Sequence, residues 1–310
     1  MSEKKIIAVV GATGKQGGGL ARAILADPYG GYAVRALTRD ATTERAQQLV
    51  KQGAEVIEAN NFDEESLVRA FQGAHGAFIV TNFWEHLSAD KEFQEATNLA
   101  NAARRAGLKH VVWSTFEDTR DLVKDDRMPT LQGRFKVPHF DVKAEADELF
   151  RASGVPTTFL RTTFYWENLA GNWRANRDED GVLTLSWPQG DSPLAGIASD
   201  DIGAVAYQIL KGGDEFAGQT VGIAGEFLTG NQIAEGLTRA IGEPVVYRPL
   251  TADAFRALGY DEGGNMHQYY DEFADNFLGQ RDLNVVRRIH PRLQTFDEWL
   301  RLHADTIPTD

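Results

Sequence analysis

Three glycines near the start of the chain have a spacing that is typical of nucleotide binding. Gly11, Gly14 and Gly17 form the pattern G-x-x-G-x-x-G, after the apolar run at residues 6–10 and before a segment with helical spacing. Such glycines let the chain turn off a strand, let the backbone approach a pyrophosphate and let a helix pack close to a sheet. The N–H groups and the positive dipole end of that helix then face the phosphates. The pattern predicts a dinucleotide site, and the alternative is an ordinary strand-to-helix turn.

A second candidate for chemistry is the pair His139 and Lys143, four residues apart in a helix predicted at about residues 137–152. This spacing puts both side chains on one helix face. In short-chain dehydrogenases a tyrosine at the first position exchanges the substrate proton, and the lysine holds the nicotinamide ribose and lowers the tyrosine pKa. Histidine titrates near neutral pH, but its ring is shorter than a phenol and presents its proton elsewhere. Lys143 is therefore the candidate for ribose binding, with a plain surface lysine as the alternative, and no residue is assigned as catalytic.

The elements that would position these residues alternate regularly between strand and helix. The predicted strands lie at residues 6–10, 32–38, 54–59, 77–81, 110–115 and 156–161. This alternation predicts an α/β fold with a Rossmann-type doubly wound parallel sheet that helices cover on both faces. The second half is less regular and is predicted to be a smaller mixed α/β C-terminal lobe. We expect a cofactor-binding domain at residues 1–162 and the lobe at 163–310, with some segments returning to the first core.

The residue after the second predicted strand bears on the choice of cofactor. An NAD-preferring site has an acidic residue there to bind the ribose 2′-hydroxyl, whereas this chain has Thr38 and then Arg39. A guanidinium binds a 2′-phosphate through charge-assisted hydrogen bonds, so NADP(H) is favoured over NAD(H). The alternative is a surface arginine, and Asp40, which comes next, makes the preference less sharp.

Further candidates lie at later turns of the chain. Ligands bind at the carboxyl ends of parallel strands, so Asn82 and Phe83 are candidates for the nicotinamide side, with ordinary loop packing as the alternative. Asp200 and Asp201 resemble an acid/base pair, but an acidic pair also suits a helix N-terminus, which is the interpretation we prefer. The charged segment at residues 119–132 is predicted to be a mobile insertion over the site.

Composition excludes several classes of function. The chain has 310 residues, 42% of them hydrophobic, and no apolar run approaches the ~18 residues of a membrane span. It has no cysteine, which excludes disulfides and thiolate chemistry, and its histidines show no metal-ligand spacing. The formal net charge of −13 argues against direct binding to nucleic acid. The start of the chain leaves no room for a signal peptide, so we expect a cytoplasmic or nucleocytoplasmic location without a membrane partner.

Several motifs together resemble the NmrA-like family, and most closely its HSCARG-type members, an atypical branch of the short-chain dehydrogenases. The motifs are GATGKQGG at residues 11–18, VTNFWE at 80–85, HFDVK at 139–143, YWENL at 165–169, DDIG at 200–203 and LQTFDEWL at 293–300. They cover nearly the whole chain. The resemblance implies a protein that binds NADP(H) in preference to NAD(H). It also implies a sensor of cofactor redox state or a transcriptional regulator that acts through protein partners, without established catalysis.

The resemblance also implies which residues bind the cofactor. The phosphate loop would be Gly11, Thr13, Gly14, Lys15 and Gln16, with Arg39 at the 2′-phosphate, Asn60 and Asn61 at the adenine, Thr81, Asn82, Phe83 and Lys143 on the nicotinamide side, and Tyr165, Trp166, Glu167 and Asn168 on a covering loop. Asn60 and Asn61 stand where the family pattern has an acidic residue and a glutamine, so the adenine contact should differ in detail. Thr42 and Thr43 lie where the family can offer a basic residue, which should weaken the preference for NADP(H).

Two functions follow as expectations. The first is an NADP(H)-binding sensor or regulator that acts through a protein partner or self-association and lacks classical dehydrogenase catalysis. The second is an NADPH-dependent oxidoreductase for a small carbonyl, quinone or enone, with Lys143 as its catalytic candidate, since quinone and isoflavone reductases act without the tyrosine. Its aromatic mouth would comprise Phe83, Trp84, Phe164, Tyr165 and Trp166. A DNA-binding repressor is disfavoured by the acidic charge.

Overall fold

The structure is a computed structural model, and it describes residues 4–124 and 126–309. The chain divides into two compact units. The first unit comprises Met1–Asp118, His139–Thr162 and Ser199–Val221, and the second comprises Thr119–Pro138, Thr163–Ala198 and Gly222–Asp310. The first unit therefore contains the glycine turn and the strands predicted around it.

The strands and helices follow one another in the order that the alternation predicted for the first half of the chain. The strands are β1 (Lys5–Val9), β2 (Tyr32–Thr38), β3 (Glu55–Glu58), β4 (Gly76–Ile79), β5 (His110–Thr115), β6 (Thr157–Arg161), β7 (Phe164–Tyr165), β8 (Asn176–Arg177), β9 (Leu183–Leu185), β10 (Leu194–Ile197), β11 (Thr220–Gly222), β12 (Glu226–Leu228) and β13 (Val245–Tyr247). The α-helices are α1 (Lys15–Leu25), α2 (Glu44–Lys51), α3 (Glu64–Phe71), α4 (Ala89–Ala106), α5 (Pro138–Ser153), α6 (Ser199–Gly212), α7 (Gly230–Ile241), α8 (Ala252–Ala257), α9 (Asp261–Glu272), α10 (Ala274–Gly279), α11 (Leu283–Ile289) and α12 (Phe296–His303).

Seven of the described strands form the main sheet, in the order β11-β6-β5-β4-β1-β2-β3. The strands β1 to β6 pair in parallel, as strands joined by crossover helices must. The strand order reverses between β1 and β4, which makes this position the topological switch point where such sheets bind ligands. The predicted Rossmann-type sheet is confirmed, and β11 is an additional edge strand that the sequence did not reveal.

The core of the first unit lies between the sheet and its helices. Strands covered on both faces are expected to be apolar throughout, and every residue of β4 and β5 is buried. One apolar cluster joins Ala8, Ile79 and Trp113 of the sheet to Phe71, Leu99 and Phe150 of α3, α4 and α5. This core holds the strands in position, and the candidate residues lie at the ends of those strands.

Helices α1 and α6 pack with their backbones almost in contact. A Cβ atom on Gly203 would lie only 2.1 Å from the backbone of Gly19 and Leu20, so a side chain there would push the helices apart. An ion pair between Arg22 and Asp200 joins the same helices at the surface. Asp200 lies in the first turn of α6, where a carboxylate interacts favourably with the helix dipole, as predicted. Helix α6 therefore supports the helix that follows the glycine turn.

The second unit contains two small sheets and the helices α7 to α12. In its described residues the strand orders are β12-β10-β7 and β13-β9-β8. Its core is rich in aromatic rings, and the buried ring of His267 contacts those of Trp173, Trp187 and Tyr270. Burial lowers the pKa of His267 to about 3, so this imidazole is neutral at physiological pH.

The segment predicted as a mobile insertion lies in this second unit. Met128 is fully buried, and the side-chain amide of Asn265 donates hydrogen bonds to the carbonyls of Pro129 and Lys136. Gln268 donates a further hydrogen bond to the carbonyl of Arg127. These contacts hold the described part of the segment against α9, where a free insertion was predicted; residue 125 lies outside the described residues.

None of the described helices combines the length and the apolar character that crossing a bilayer requires.

Candidate functional site

The glycine turn leads from β1 into α1 at the switch point of the sheet. Gly11 has a φ of +68°, in the left-handed region that favours glycine, and Gly14, in extended conformation, is the N-cap of α1. A Cβ atom on Gly17 would lie 2.5 Å from the carbonyl oxygen of Gly11, so the turn and the helix fit together only because Gly17 has no side chain. The N-terminal N–H groups of α1 and its dipole could hold a pyrophosphate here. The structure thus gives the glycine trio the geometry that its spacing predicts.

Arg39 lies at the tip of β2, immediately after Thr38. Its guanidinium forms an ion pair with the carboxylate of Glu85, in the turn that follows β4. The side chains of Arg39 and Glu85 are 69% and 45% exposed, so both remain accessible to a ligand. Arg39 lies at the strand tip where it was predicted, whereas its counter-ion Glu85 was not predicted.

The two threonines after Arg39 are engaged in the local turn. The hydroxyl of Thr43 caps α2 by accepting a hydrogen bond from the N–H of Ala46, and Thr42 donates its hydroxyl to Asp40. A basic residue follows two positions after Thr43: Nη1 of Arg45 lies 3.5 Å from the carbonyl oxygen of Thr13. Arg45 is thus a second arginine close to the phosphate loop, and it was not predicted.

The predicted adenine residues lie at the end of β3. The side-chain oxygen of Asn60 accepts a hydrogen bond from the N–H of Phe62 and shapes the turn. The amide of Asn61 donates to the carboxylate of Glu95 over 3.1 Å, and His86 lies 3.2 Å from the other oxygen of that carboxylate. Burial raises the pKa of Glu95, whereas the hydrogen bonds from Asn61 and His86 lower it. Asn61 is therefore oriented by a buried carboxyl group, while Asn60 is exposed.

Lys143 lies next to Thr81, which follows the end of β4, and is 5% exposed. Its Nζ lies 2.5 Å from Glu92 Oε1, 2.6 Å from Thr81 Oγ1 and 3.1 Å from the carbonyl oxygen of Thr81. An ammonium group has three hydrogens to donate, and these three acceptors use all of them. Glu92, on α4, is also buried, so this ion pair is shielded from water. The structure brings Lys143 and Thr81 together as predicted, but it holds the lysine through an acidic residue that was not predicted.

His139, at the tyrosine position, is enclosed by aromatic rings. Its ring centroid lies 5.0 Å from that of Trp84, 5.7 Å from that of Phe116 and 5.9 Å from that of Phe83. The side chains of His139 and Phe83 are buried, whereas Trp84 is half exposed at the surface of this cluster. Asn82, between Thr81 and Phe83, is exposed at the same strand end. An imidazole in this packing resembles a core side chain more than a general acid.

Helix α5 carries a third polar residue on the face of His139 and Lys143. Asp147 is buried, and its Oδ1 accepts hydrogen bonds from Trp113 Nε1 over 2.9 Å and from the Thr115 hydroxyl over 2.8 Å. Burial raises the pKa of Asp147 to about 6, although these hydrogen bonds and the charge of Arg151 oppose the increase. The carboxyl group therefore titrates near neutral pH.

This raised pKa predicts a pH-dependent effect of the substitution Asp147→Asn. The pKa of Asp147 is higher in the folded chain than in the unfolded chain, so its contribution to stability is complete below about pH 4 and is lost as pH rises through about 6. Asparagine keeps an oxygen to accept both hydrogen bonds and carries no charge. We expect the variant to raise the free energy of unfolding by up to about 3 kcal/mol at pH 8 and to change it little at pH 4.

Urea unfolding at the two pH values measures this effect. Asp305→Asn, at an exposed position, is the matched control and should give no such dependence. An equal change at both pH values in the Asp147 variant would contradict the raised pKa.

The predicted covering-loop residues belong to the second unit. Trp166 is buried against Phe296 and Trp299, and Glu167 accepts a hydrogen bond from Trp299 Nε1 over 3.1 Å. Trp166 is therefore part of that unit's core. A cofactor contact of Tyr165, Trp166, Glu167 and Asn168 stays a prediction, as do the contacts of Lys15 and Gln16.

Comparison with known proteins identifies the family of this chain. A model of the NmrA-like family matches residues 3–300. The chain belongs to the NmrA-like family. The resemblance found in the motifs is confirmed over nearly its whole length.

Relatives of this NmrA-like protein include named oxidoreductases. FrzB of Cladobotryum sp., an NmrA-like family domain-containing oxidoreductase, is 30% identical over 274 residues, which cover 83% of this chain and 80% of FrzB. An NmrA-like family domain-containing protein of Dictyostelium discoideum is 26% identical and covers 96% of this chain and 97% of its own.

Solved structures share the fold of this NmrA-like protein over nearly all of both chains. NmrA, a negative transcriptional regulator, has a TM-score of 0.80 at 24% identity and covers 96% of this chain and 95% of its own; it has also been crystallised with NAD and with NADP. Citrobacter sp. triphenylmethane reductase, in complex with NADP(H), has a TM-score of 0.76 at 20% identity, with 96% and 99% covered. The Escherichia coli quinone oxidoreductase QOR2, in complex with NADPH, has a TM-score of 0.72 at 24% identity, with 96% and 98% covered. At these identities the likeness shows the fold.

Proposed function

We propose that this NmrA-like protein binds NADP(H) at the carboxyl edge of the sheet in its first unit. The glycine turn would hold the pyrophosphate, and Arg39 would hold the 2′-phosphate. The pairing of Arg39 with Glu85 carries the proposal, because the guanidinium at the tip of β2 has an exposed carboxylate as its counter-ion. An exposed ion pair is weak, whereas a phosphate has more charge and more acceptor oxygens. The cofactors in the crystals of NmrA, triphenylmethane reductase and QOR2 support the same cofactor class.

Arg39→Ala tests the proposed choice of cofactor. We expect the variant to bind NADP+ roughly 10- to 100-fold more weakly, because a hydrogen-bonded charge contributes about 1.5–3 kcal/mol. The affinity for NAD+, which lacks the 2′-phosphate, should stay within about two-fold of the parent. Isothermal titration with NADP+, NADPH and NAD+ measures all three. Arg105→Ala is the matched control, since Arg105 is another exposed arginine paired with glutamates, on α4.

Glu85→Gln is the opposing variant of the same experiment. Removing the competing charge should tighten NADP+ binding by about two- to five-fold and leave NAD+ binding unchanged. Equal losses for NADP+ and NAD+ in Arg39→Ala, or weaker NADP+ binding in Glu85→Gln, would contradict the assignment of Arg39 to the 2′-phosphate.

We further propose that the bound cofactor acts as a signal instead of a hydride donor. All three hydrogens of the Lys143 ammonium have acceptors within the chain, and His139 is enclosed by aromatic rings, so neither residue is arranged as the tyrosine–lysine pair of a classical dehydrogenase. Cofactor binding would instead change the surface presented to a protein partner or to a second copy of the chain. A ligand can shift such a balance only by the difference in its affinity for the two states.

Two measurements, each with and without NADPH and NADP+, test the signalling proposal: amide hydrogen exchange, and the molecular mass in solution as a measure of the state of assembly. We expect protection to change outside the cofactor-binding residues and the change to differ between the oxidised and reduced forms. If both forms bind without changing protection elsewhere or the state of assembly, the signalling proposal fails while the binding proposal stands.

The second candidate function is an NADPH-dependent reductase of quinones, enones or small carbonyls. The name of FrzB and those of two structural neighbours favour it. The half-exposed ring of Trp84 beside His139 would offer a flat substrate a surface for stacking. A panel of these substrates with NADPH decides between the candidates. The double variant Lys143→Met/Glu92→Gln leaves no charge in the buried site. Turnover by the parent that is lost in this variant would favour the reductase. Absence of turnover with every substrate of the panel would favour the sensor.

A further inference from the structure

A cavity of about 230 Å³ lies at the amino edge of the main sheet, opposite the glycine turn, within the first unit. Its lining includes the first residues of β1, β2 and β5. The lining residues that bear on the argument are Lys5, Tyr32, His75, Lys109, His110 and Lys211. The cavity is therefore separate from the proposed cofactor site, since it opens at the other ends of the same strands.

The charge of this cavity contrasts with that of the chain. Three lysines and two histidines line it, and Asp214 is the one carboxylate among its described lining residues, in a chain with a formal net charge of −13. Lys211 is partly compensated, because its Nζ lies 3.5 Å from a carboxylate oxygen of Asp27. Lys5 and Lys109 form no ion pair with another described residue. A cleft lined by one sign of charge concentrates counter-ions of the opposite sign.

His110, one of the lining residues, has a buried nitrogen without a hydrogen-bond partner among the described residues. The residue is 4% exposed, and its Nε2 lies 2.8 Å from the hydroxyl oxygen of Thr158. That hydroxyl donates its only hydrogen to the carbonyl of Phe216, so it must accept from His110, and Nε2 carries the proton. Nδ1 is therefore a bare lone pair, buried and without a hydrogen-bond partner in the described residues. Such an atom is costly unless a ligand or a water satisfies it.

Burial and the positive charges nearby lower the pKa of both histidines in the absence of an anion. Burial lowers the pKa of His110, as does the nearby His75, while Asp214 raises it. Burial lowers the pKa of His75, and the ammonium groups of Lys5 and Lys109 lower it further. An anion among these groups would reverse the electrostatic part of both shifts.

We propose that this cavity binds a small divalent oxyanion of the phosphate type. Lys5 and Lys109 supply the charge. Nδ1 of His110 takes up one proton from solvent and donates it in a hydrogen bond to an anion oxygen, so binding and proton uptake occur together. The shared chemistry is a phosphate group, either as free orthophosphate or as the phosphomonoester of a small metabolite.

The first test uses sulfate, which remains a dianion across the range of the measurement, so that any pH dependence belongs to the protein. The ring nitrogens of ¹⁵N-labelled histidine are followed by NMR while sulfate replaces chloride at constant ionic strength, without nucleotide. We expect His110 to have its proton on Nε2 at pH 8 and to gain one on Nδ1 as sulfate binds. The sulfate affinity should be about three- to ten-fold higher at pH 6 than at pH 8. The His110 signal distinguishes this site from any anion at the glycine turn.

The second test uses charge variants. Lys109→Gln should weaken sulfate binding by about five-fold and Lys5→Gln/Lys109→Gln should abolish it, because each removes an ammonium group next to the anion. Lys51→Gln, at an exposed position on α2, is the matched control. Equal affinities in the Lys109 and Lys51 variants, a His110 that starts with its proton on Nδ1, or an effect that chloride reproduces would overturn the proposal.

Titration with orthophosphate and with glycerol phosphate then identifies the source of the phosphate group. Tighter binding of glycerol phosphate than of orthophosphate assigns the site to a phosphomonoester, and binding of orthophosphate alone assigns it to the free ion. These measurements need no nicotinamide cofactor, so their outcome is independent of the proposed function.

Discussion

Lys143→Met is expected to lower the free energy of unfolding by about 3–5 kcal/mol, the largest effect predicted for a side chain in the first unit. The substitution keeps the volume of the side chain but leaves the Glu92 carboxylate buried without its counter-ion. Glu92→Gln should cost less, about 1–3 kcal/mol, because Thr81 still offers Lys143 two oxygen acceptors. In Lys143→Met/Glu92→Gln neither charge remains, and we expect most of the lost stability to return.

Urea unfolding of the parent, the two single variants and the double variant forms a double-mutant cycle that measures this coupling. Arg105→Ala, which breaks the exposed ion pairs of Arg105 on α4 with Glu64 and Glu65 on α3, is the control and should change stability by no more than about 1 kcal/mol. If the two single effects simply add in the double variant, Lys143 and Glu92 are not coupled. The inference that Glu92 and Thr81 fully engage the Lys143 ammonium group is then wrong. The cycle also bears on function, because a lysine that stabilises the fold so strongly is not readily available to a cofactor.

The fold of the first unit could be predicted because its signals are local. The bounds of β2 and β5 agree with the predicted ones, and α4 ends at Gly107, which adopts the positive φ that commonly ends a helix. We expected some segments to return to the first core, but the sequence did not indicate that α6 and β11 are those segments. Helix α6 packs through the contact between the backbones of Gly19 and Gly203, which are distant in sequence, and a glycine has no side chain to indicate a partner.

In the candidate site too, some residues could be predicted from local sequence, whereas others could not because they are distant in sequence. The glycine turn, Arg39 and the pairing of His139 with Lys143 on one helix follow from spacing. Their partners do not, since Glu85 lies 46 residues from Arg39 and Glu92 lies 51 residues from Lys143.

One signal for Glu92 was nevertheless present in the sequence. Residue 92 falls in the helical stripe of α4 formed by Ala89, Ala96, Leu99 and Ala103, which are buried. A carboxylate within an apolar stripe needs a buried counter-charge. The need for a cation next to α4 could thus have been inferred from the pattern, although the identity of that cation could not.

Gly17→Ala is expected to abolish the binding of NADP(H) and NAD(H) together, a loss of at least about 100-fold. The added methyl group would lie 2.5 Å from the carbonyl oxygen of Gly11 and 2.8 Å from that of Val10, and both are backbone atoms that cannot rotate away. The turn must therefore open, which moves the N-terminal N–H groups of α1 and should also lower stability by about 1–3 kcal/mol. Gly279→Ala is the matched control, because nothing lies within 4 Å of its added Cβ, and alanine there should be neutral or slightly stabilising.

The pattern of losses distinguishes the pyrophosphate from the 2′-phosphate. Arg39→Ala should affect NADP(H) alone, whereas Gly17→Ala should affect both dinucleotides, because both contain the pyrophosphate. Gly14→Ala serves if the Gly17 variant does not fold, since its Cβ would lie 3.2 Å from the Gly11 carbonyl and require only a small shift. It should retain the fold and bind both dinucleotides more weakly. If a folded Gly17→Ala or Gly14→Ala chain binds both cofactors as tightly as the parent, the glycine turn does not hold the pyrophosphate, and the cofactor site must lie elsewhere.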